Sequence, residues 1–173
     1  MKRIILHWTA GTGFPSSYEK NFYHFLVDKN GATHFGVYPP EANLNVKTGK
    51  YAAHTGGGNT GSIGVAACGM AGFVSAADVG KYPLTRLQLE AVFALCASLC
   101  AKYSIPITAS TVLTHYEFGV KNPTTTSAGK IDLTYLPPFP KVKKGDVGGF
   151  IRSKVEWYRL KLARDGAQNK FLQ

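Results

Sequence analysis

The stretch Lys2–Gly11, KRIILHWTAG, places a short apolar run directly before a histidine. The run Ile4-Ile5-Leu6 is typical of a buried strand, and Thr9-Ala10-Gly11 ends it. An imidazole near the carboxyl end of such a strand lies where open α/β sheets bind their ligands. His7 is therefore the first candidate functional residue, and its partners are expected at the same edge of the sheet.

The composition indicates one globular domain with a basic surface. The chain has 173 residues, of which 45% are hydrophobic, enough for a sizeable core. Twenty basic and ten acidic residues give a net charge of +10. This charge favours a polyanionic partner, which could be nucleic acid, an anionic membrane or an anionic wall polymer, and does not choose among them.

The cysteines predict folding in a reducing compartment, and the N-terminus shows no signal-peptide pattern. Three cysteines are an odd number without a CxxC pair, so we expect reduced core residues: Cys68, Cys96 and Cys100. The apolar run after Lys2 and Arg3 is too short for a signal peptide, and no stretch reaches transmembrane length. Synthesis in the cytoplasm without stable membrane insertion is therefore expected.

Both strand and helix patterns occur along the chain, which predicts the α/β class. An apolar run, a DKNG turn and a second run predict a hairpin, and Thr85 with Gln88 fits the capping box of a helix. The predicted elements are strands at Phe22–Val27, Thr33–Tyr38, Ile63–Cys68 and Thr111–His115, and helices at Thr85–Tyr103 and Phe150–Arg164. The core is expected within 2–136, followed by a basic connector at 137–149 and the amphipathic C-terminal helix at 150–164.

His7 and His115 both stand at the carboxyl end of a predicted strand. If these strands run parallel in one sheet, both imidazoles reach the same edge, and Asp132 follows His115 by seventeen residues. A catalytic zinc ion takes three protein ligands and keeps one position for water. Spacing alone is weak evidence for this, because strand-end histidines are more often simply hydrogen-bonded. The chain has no HExxH, which excludes the helix-borne zinc protease motif.

Five motifs carry a resemblance to a known family. HWTAG, YHFLVDKNG, AAHTGGGNTGSIGV, LTHYEFG and GKIDL occur in this order between about Lys2 and Leu136. Together they resemble the zinc-dependent N-acetylmuramoyl-L-alanine amidases found in phage endolysins, whose fold is shared with the peptidoglycan recognition proteins. The resemblance implies a single α/β domain with a central mixed β-sheet flanked by helices.

The resemblance also implies roles for particular residues. His7, His115 and Asp132 match the zinc ligands of the family, and Tyr23 and Lys130 match its catalytic residues. The stretch AAHTGGGNTG supplies the substrate-binding candidates His54, Asn59 and Thr60.

One departure bears on the catalytic base. Some relatives, notably the muropeptide-recycling enzymes, carry a glutamate in the strand that reads SIGVAAC here, where this chain has Ala66 and Ala67. The base would then be Tyr23 or the zinc-bound hydroxide, and Tyr23 could instead hydrogen-bond the oxyanion. His54 could donate a proton to the leaving amine.

The implied activity is zinc-dependent hydrolysis of the amide between N-acetylmuramic acid and L-alanine in peptidoglycan. A monomeric phage or prophage endolysin that reaches the wall through a holin-type lesion is expected. The alternatives are a non-catalytic peptidoglycan-binding module of the same fold and a cytoplasmic amidase that recycles muropeptides. A nucleic-acid partner is not expected, because the chain shows neither a basic helix suited to a major groove nor zinc-finger spacing.

Two further histidines, a glycine triplet and the C-terminal helix are expected to have structural roles. His24 is expected to be a hydrogen-bonded core residue that points to the other sheet face from Tyr23, and His34 a residue of the hairpin surface. Gly56–Gly58 is expected to be a flexible cleft rim and not a phosphate cradle, because no GK[ST] follows. The C-terminal helix is expected to be a domain helix with a solvated basic face, with a wall- or membrane-surface role as the alternative.

Overall fold

The fold is built around one five-stranded sheet. The computed structural model describes the backbone of residues 1–170 and the side chains of residues 1–165. The strands are β1 (Arg3–Trp8), β2 (Phe25–Val27), β3 (Thr33–Phe35), β4 (Ser62–Ala67) and β5 (Val112–Thr114). Their order is β3-β2-β4-β1-β5, with β3 antiparallel to β2 and all other neighbours parallel. This is the mixed α/β sheet that the sequence predicts.

β1 lies inside the sheet and pairs on both sides. Ile4 is in register with Ile63 of β4 and with Val112 of β5. A strand with two neighbours has its backbone groups satisfied on both edges and its side chains covered on both faces, which explains the uninterrupted apolar run in the sequence.

Helices cover the two faces of the sheet unequally. The helices α1 (Arg86–Tyr103) and α3 (Val147–Lys170) pack together, and α1 also packs on β4. Ile4, Leu6 and Trp8 belong to the large core on that side. The short helix α2 (His115–Lys121) contacts β1 and β5, and a small cluster of Ile5, Leu113 and Phe118 lies apart from the large core.

Several element boundaries differ from the predictions. β2 begins at Phe25 and not at Phe22, and Thr114 ends β5 because its side chain caps α2 in a capping box with Glu117. The segment after the predicted strand Thr111–His115, for which no helix was predicted, therefore starts with a helix. α3 begins at Val147 and so includes the end of the predicted connector. The capping box predicted for α1, between Thr85 and Gln88, is confirmed.

The cysteines are free and buried, as predicted, and burial raises the pKa of the Cys68 thiol to about 12. None of the helices in residues 1–170 combines the length and the apolar character needed to cross a membrane.

Candidate metal centre

Three side chains from distant parts of the chain converge at one end of β1. The Nδ1 atoms of His7 and His115 each lie 3.1 Å from Oδ2 of Asp132. Ligand atoms of all three residues lie within 4.8 Å of one another. Both histidines are buried, whereas the Asp132 side chain keeps 15% of its surface exposed. The cluster is thus enclosed by protein and open to solvent on the aspartate side.

The sheet and the α2 capping box place the two histidines. Leu6 is in register with Thr114, so His7 and His115 follow at the same edge of the parallel strands. The Thr114 cap turns the chain into α2 at His115 itself. Asp132 is followed by the buried Leu133, whose φ of 58° turns the backbone in the left-handed region. That conformation costs a non-glycine residue roughly 1–2 kcal/mol, and the burial of Leu133 offsets it.

The donor set fits a divalent transition metal. Burial lowers the pKa of His7 to about 4, although the hydrogen bond that its ring can donate to the Asp132 carboxylate acts in the opposite direction. Burial alone would raise the pKa of Asp132, but the neighbouring imidazoles of His115 and His7 hold it below its usual range. A neutral imidazole and an ionised carboxylate are the forms that bind metal, and two imidazoles with one carboxylate form a catalytic zinc ligand set.

His54 lies directly behind His7. Its Nδ1 atom is 3.2 Å from Nε2 of His7 and 2.8 Å from the Thr55 hydroxyl, which itself lies 3.4 Å from Nε2 of His7. The ring packs against Gly64 of β4, where a Cβ atom would come within 2.5 Å of the His54 ring. Among the described residues, Nε2 of His54 is buried and has no partner. A buried polar atom without a hydrogen-bond partner destabilises the fold by about 1–3 kcal/mol. A bound group that forms a hydrogen bond with Nε2 of His54 would remove this cost.

Tyr23 also reaches His7, with the two ring centroids 5.2 Å apart. Burial and the charge of Asp132 raise the pKa of Tyr23 above its usual value, so its phenol is neutral at neutral pH. The prediction that Tyr23 and His24 point to opposite faces of the sheet is wrong. Both residues precede β2, and strand alternation does not apply there. The His24 ring lies near the same cluster, 5.4 Å from that of His54.

His24 is a hydrogen-bonded core residue, as predicted. Its Nδ1 atom accepts from the backbone N–H of Gly64 at 2.8 Å, which leaves Nε2 to donate to Oδ1 of Asn43 at 3.0 Å. Burial lowers the pKa of His24 to about 4. Both ring nitrogens are occupied by protein, and so His24 is not available to a metal. His34 lies in the hairpin, where its Nε2 is 2.8 Å from Oδ2 of Asp28.

Within the described residues, no hydrogen bond joins the remaining predicted site residues to the three converging ligands. Lys130 is exposed and lines a cavity of about 280 Å³ with Tyr116 and Ile131. Asn59 accepts the backbone N–H of Thr55 at 2.8 Å and shapes the loop that carries His54, whereas Thr60 is exposed. A larger groove of about 990 Å³ lies between α1 and α3 and contains none of the predicted site residues.

The glycine triplet is packed, which corrects the expectation of a flexible rim. A Cβ atom at Gly56 or Gly57 would overlap Thr126 or Thr125, and one at Gly58 would come within 2.5 Å of Phe118. Side chains at these three positions would clash with the 122–130 loop and with α2, which lie directly against the triplet.

Sequence reasoning missed two hydroxyl residues of the site. Thr55 lies beside His7 and His54, and Ser127 lies 3.0 Å from Nε2 of His115. Thr55 could have been considered because it follows His54 in the chain. Ser127 had no such signal, because its polar neighbours TTTSAG are typical of any exposed loop.

A family model matches most of the chain. The family described as N-acetylmuramoyl-L-alanine amidase (Amidase_2) matches residues 1–130, a range that includes two of the converging ligands and ends two residues before Asp132. Among solved structures, the chain is similar to peptidoglycan recognition protein SD (PGRP-SD) of Drosophila, with 18% identity and a TM-score of 0.47. That match covers 73% of this chain and 74% of the other. A comparison with curated protein sequences found no match.

Proposed function

Because the chain belongs to the N-acetylmuramoyl-L-alanine amidase family, we propose that it is a zinc-dependent amidase of peptidoglycan. The bond cleaved would be the amide between the lactyl group of N-acetylmuramic acid and L-alanine. The observation that carries this proposal is the convergence of His7, His115 and Asp132 within 4.8 Å. The same three residues would hold the zinc ion, with one side of the cluster left open toward Asp132.

Zinc bound there would activate a water molecule at neutral pH and polarise the carbonyl under attack. The overall reaction adds water across the amide, which gives a carboxylate on the lactyl group and a free amine on alanine. The protein must therefore orient the carbonyl, stabilise the negative charge that develops on its oxygen and keep the ligand set fixed.

Tyr23 is suited to stabilise that charge. Its phenol is neutral and lies beside His7, so it can donate a hydrogen bond to the developing oxyanion. Of the two roles open for Tyr23, the raised pKa favours hydrogen bonding over action as a base. Ala66 is in register with His7 and fully buried, so β4 offers no carboxylate at the position that faces the ligand.

Lys130 and His54 complete the proposed machinery. Lys130 precedes Asp132 by two residues and is exposed, and in this proposal its ammonium group neutralises the oxyanion. Burial holds the pKa of His54 well below 6.5, which makes it a neutral residue at neutral pH. It would orient the substrate through Nε2 and would not supply a proton to the leaving amine. Asn59 supports His54 through the Thr55 backbone, and Thr60 is proposed to contact substrate at the rim.

We propose the endolysin role on the net charge of +10, which suits an anionic cell wall. In this proposal 2–136 forms the amidase core, the protein acts as a monomer, and a holin-type lesion releases it from the cytoplasm to the wall. A recycling amidase for soluble muropeptides and a non-catalytic binding module remain outcomes that the following experiment distinguishes.

The test is digestion of purified peptidoglycan by the full-length protein. An amidase releases new free amino groups on alanine without new reducing sugar ends. His115→Ala is expected to lose bound zinc and activity, whereas the hairpin variant His34→Ala should retain both. Binding to peptidoglycan without release of alanine amino groups would identify a binding module. Cleavage of soluble muropeptides but not of intact sacculi would identify a recycling enzyme, and full activity without bound metal would overturn the zinc mechanism.

A further inference from the structure

Nε2 of His115 belongs to a chain of hydrogen bonds in which each donor and acceptor can be assigned. Its Nε2 atom lies 3.0 Å from the hydroxyl oxygen of Ser127, and that oxygen lies 2.8 Å from the carbonyl oxygen of Gly56. A carbonyl can only accept, so the single hydroxyl hydrogen of Ser127 must be donated to Gly56. Ser127 therefore accepts from His115, and the His115 proton must be on Nε2.

This proton position determines what Nδ1 of His115 can do. In the neutral ring with its proton on Nε2, Nδ1 carries a lone pair, and it faces Oδ2 of Asp132 at 3.1 Å. Two lone pairs at that distance repel unless a cation or a proton lies between them. Asp132 by itself would favour the other tautomer, in which Nδ1–H donates to the carboxylate, so Ser127 and Asp132 compete for the tautomer of His115.

We propose that Ser127 is a positioning residue that holds His115 in the Nε2–H tautomer, leaving Nδ1 free to bind the metal. The inference rests on the proposed metal centre but does not depend on the reaction that the centre performs. A residue that orients a ligand histidine in this way changes metal affinity by about 10- to 100-fold.

The loop around Ser127 is held in place, which the role requires. Ser127 is fully buried, although it lies in a polar segment, and its backbone N–H bonds the Thr125 hydroxyl at 3.3 Å. Thr125 and Thr126 stand directly against Gly57 and Gly56. The contact between the two loops thus places the Gly56 carbonyl where it can receive the Ser127 proton.

The experiment compares full-length wild type with Ser127→Ala, with Thr124→Ala as the control from the exposed part of the same loop. Zinc affinity is measured by competition with a chromophoric chelator. The His115 tautomer is read from ring ¹⁵N shifts of the chelator-stripped protein, with circular dichroism to verify folding. The His115 signals are assigned by their loss in His115→Asn.

In wild type we expect protonated Nε2 and unprotonated Nδ1 at His115. In Ser127→Ala the proton should move toward Nδ1, and zinc should bind about 10- to 100-fold more weakly. Thr124→Ala should match wild type in both measurements. Should Ser127→Ala fail to fold, Ser127→Cys keeps a side chain of similar shape with much weaker hydrogen bonding, and its His115 proton should move toward Nδ1 in the chelator-stripped protein; zinc affinity is not compared for this variant, because a thiol can itself bind zinc.

Wild type with the proton on Nδ1, or a Ser127 variant that binds zinc weakly with the tautomer unchanged, would overturn the proposal. A protein that shows the expected tautomer and zinc affinities yet releases no alanine amino groups would support the role of Ser127 and reject the amidase function. The two proposals can therefore fail separately.

Discussion

The Nδ1 atom of His7 lies 3.1 Å from Oδ2 of Asp132, across 125 positions of sequence. His7 is held inside the sheet by its two neighbouring strands, whereas Asp132 arrives on a loop that follows α2. The centre thus joins a rigid element to a segment that depends on side-chain contacts for its position. Changes on the loop side should alter metal binding while leaving the sheet intact.

Asp132→Asn should separate metal binding from folding. The substitution keeps the size of the side chain but removes the negative charge, and a neutral amide oxygen is a poorer zinc ligand. Bound zinc should fall from about one equivalent to near none, as measured by elemental analysis, with the circular dichroism spectrum unchanged. Asp165→Asn, at an exposed position of α3, is the matched control and should retain its zinc. Retention of zinc by Asp132→Asn would remove Asp132 from the ligand set.

Lys130→Ala should retain zinc and lose most of its catalytic rate. Removal of a group that stabilises an oxyanion lowers kcat by on the order of 100-fold. The measurement is the release of alanine amino groups from peptidoglycan at saturating substrate, with the zinc content determined in parallel. Lys50→Ala removes the same charge at another exposed position and should behave as wild type. A wild-type rate for Lys130→Ala would show that the cation has no role in the transition state.

Gly64→Ala should destabilise the fold because β4 has no room for a side chain there. The added Cβ would lie 2.5 Å from the ring of His54, and overpacking of this kind costs about 1–3 kcal/mol. Urea denaturation should therefore show a lower midpoint. Gly149→Ala, with nothing within 4 Å of the added carbon, should be unchanged or up to about 1 kcal/mol more stable, because alanine favours the helix. Equal midpoints for wild type and Gly64→Ala would show that His54 can move away without cost.

Acid should destabilise the protein partly through His24. Its pKa is about 4 in the folded state and 6.5 when unperturbed, so the unfolded chain binds the proton first as the pH falls. Stability is thus fully present above about pH 6.5 and decreases between pH 6.5 and 4, with a contribution from His24 on the order of 3 kcal/mol. As the pH decreases across this window, the free energy of unfolding of His24→Gln should fall less steeply than that of wild type. The reason is that unfolding of the variant takes up about one proton fewer. Identical slopes for both proteins would show that His24 is not buried in the neutral form.

Part of the site could be predicted because it depends on strand order and spacing along the chain. The run that ends at His7 and the run before His115 are both apolar, and parallel pairing brings their ends together. The hairpin and the α1 cap were predicted because short turns and capping boxes depend on neighbouring residues. The start of α2 was missed because the predicted strand was extended through His115, although Thr114 and Glu117 form a capping box there.

Tertiary structure decided the orientations that strand periodicity could not predict. Tyr23 and His24 lie before the start of β2, where alternation does not hold, and the two rings reach the same cluster. Gly56–Gly58 is close-packed because Thr125, Thr126 and Phe118 lie against it, and these residues are distant in sequence.

By itself, the sequence determined the α/β class and the buried strands, because apolar periodicity is a local property of the chain, and its resemblance to the amidase family pointed to the three converging residues. Only the tertiary structure decided which hydroxyl faces His115 and which ring nitrogen of His54 stays without a partner. These hydrogen bonds join atoms from separate loops, and the spacing of residues along the chain does not predict which loops come together.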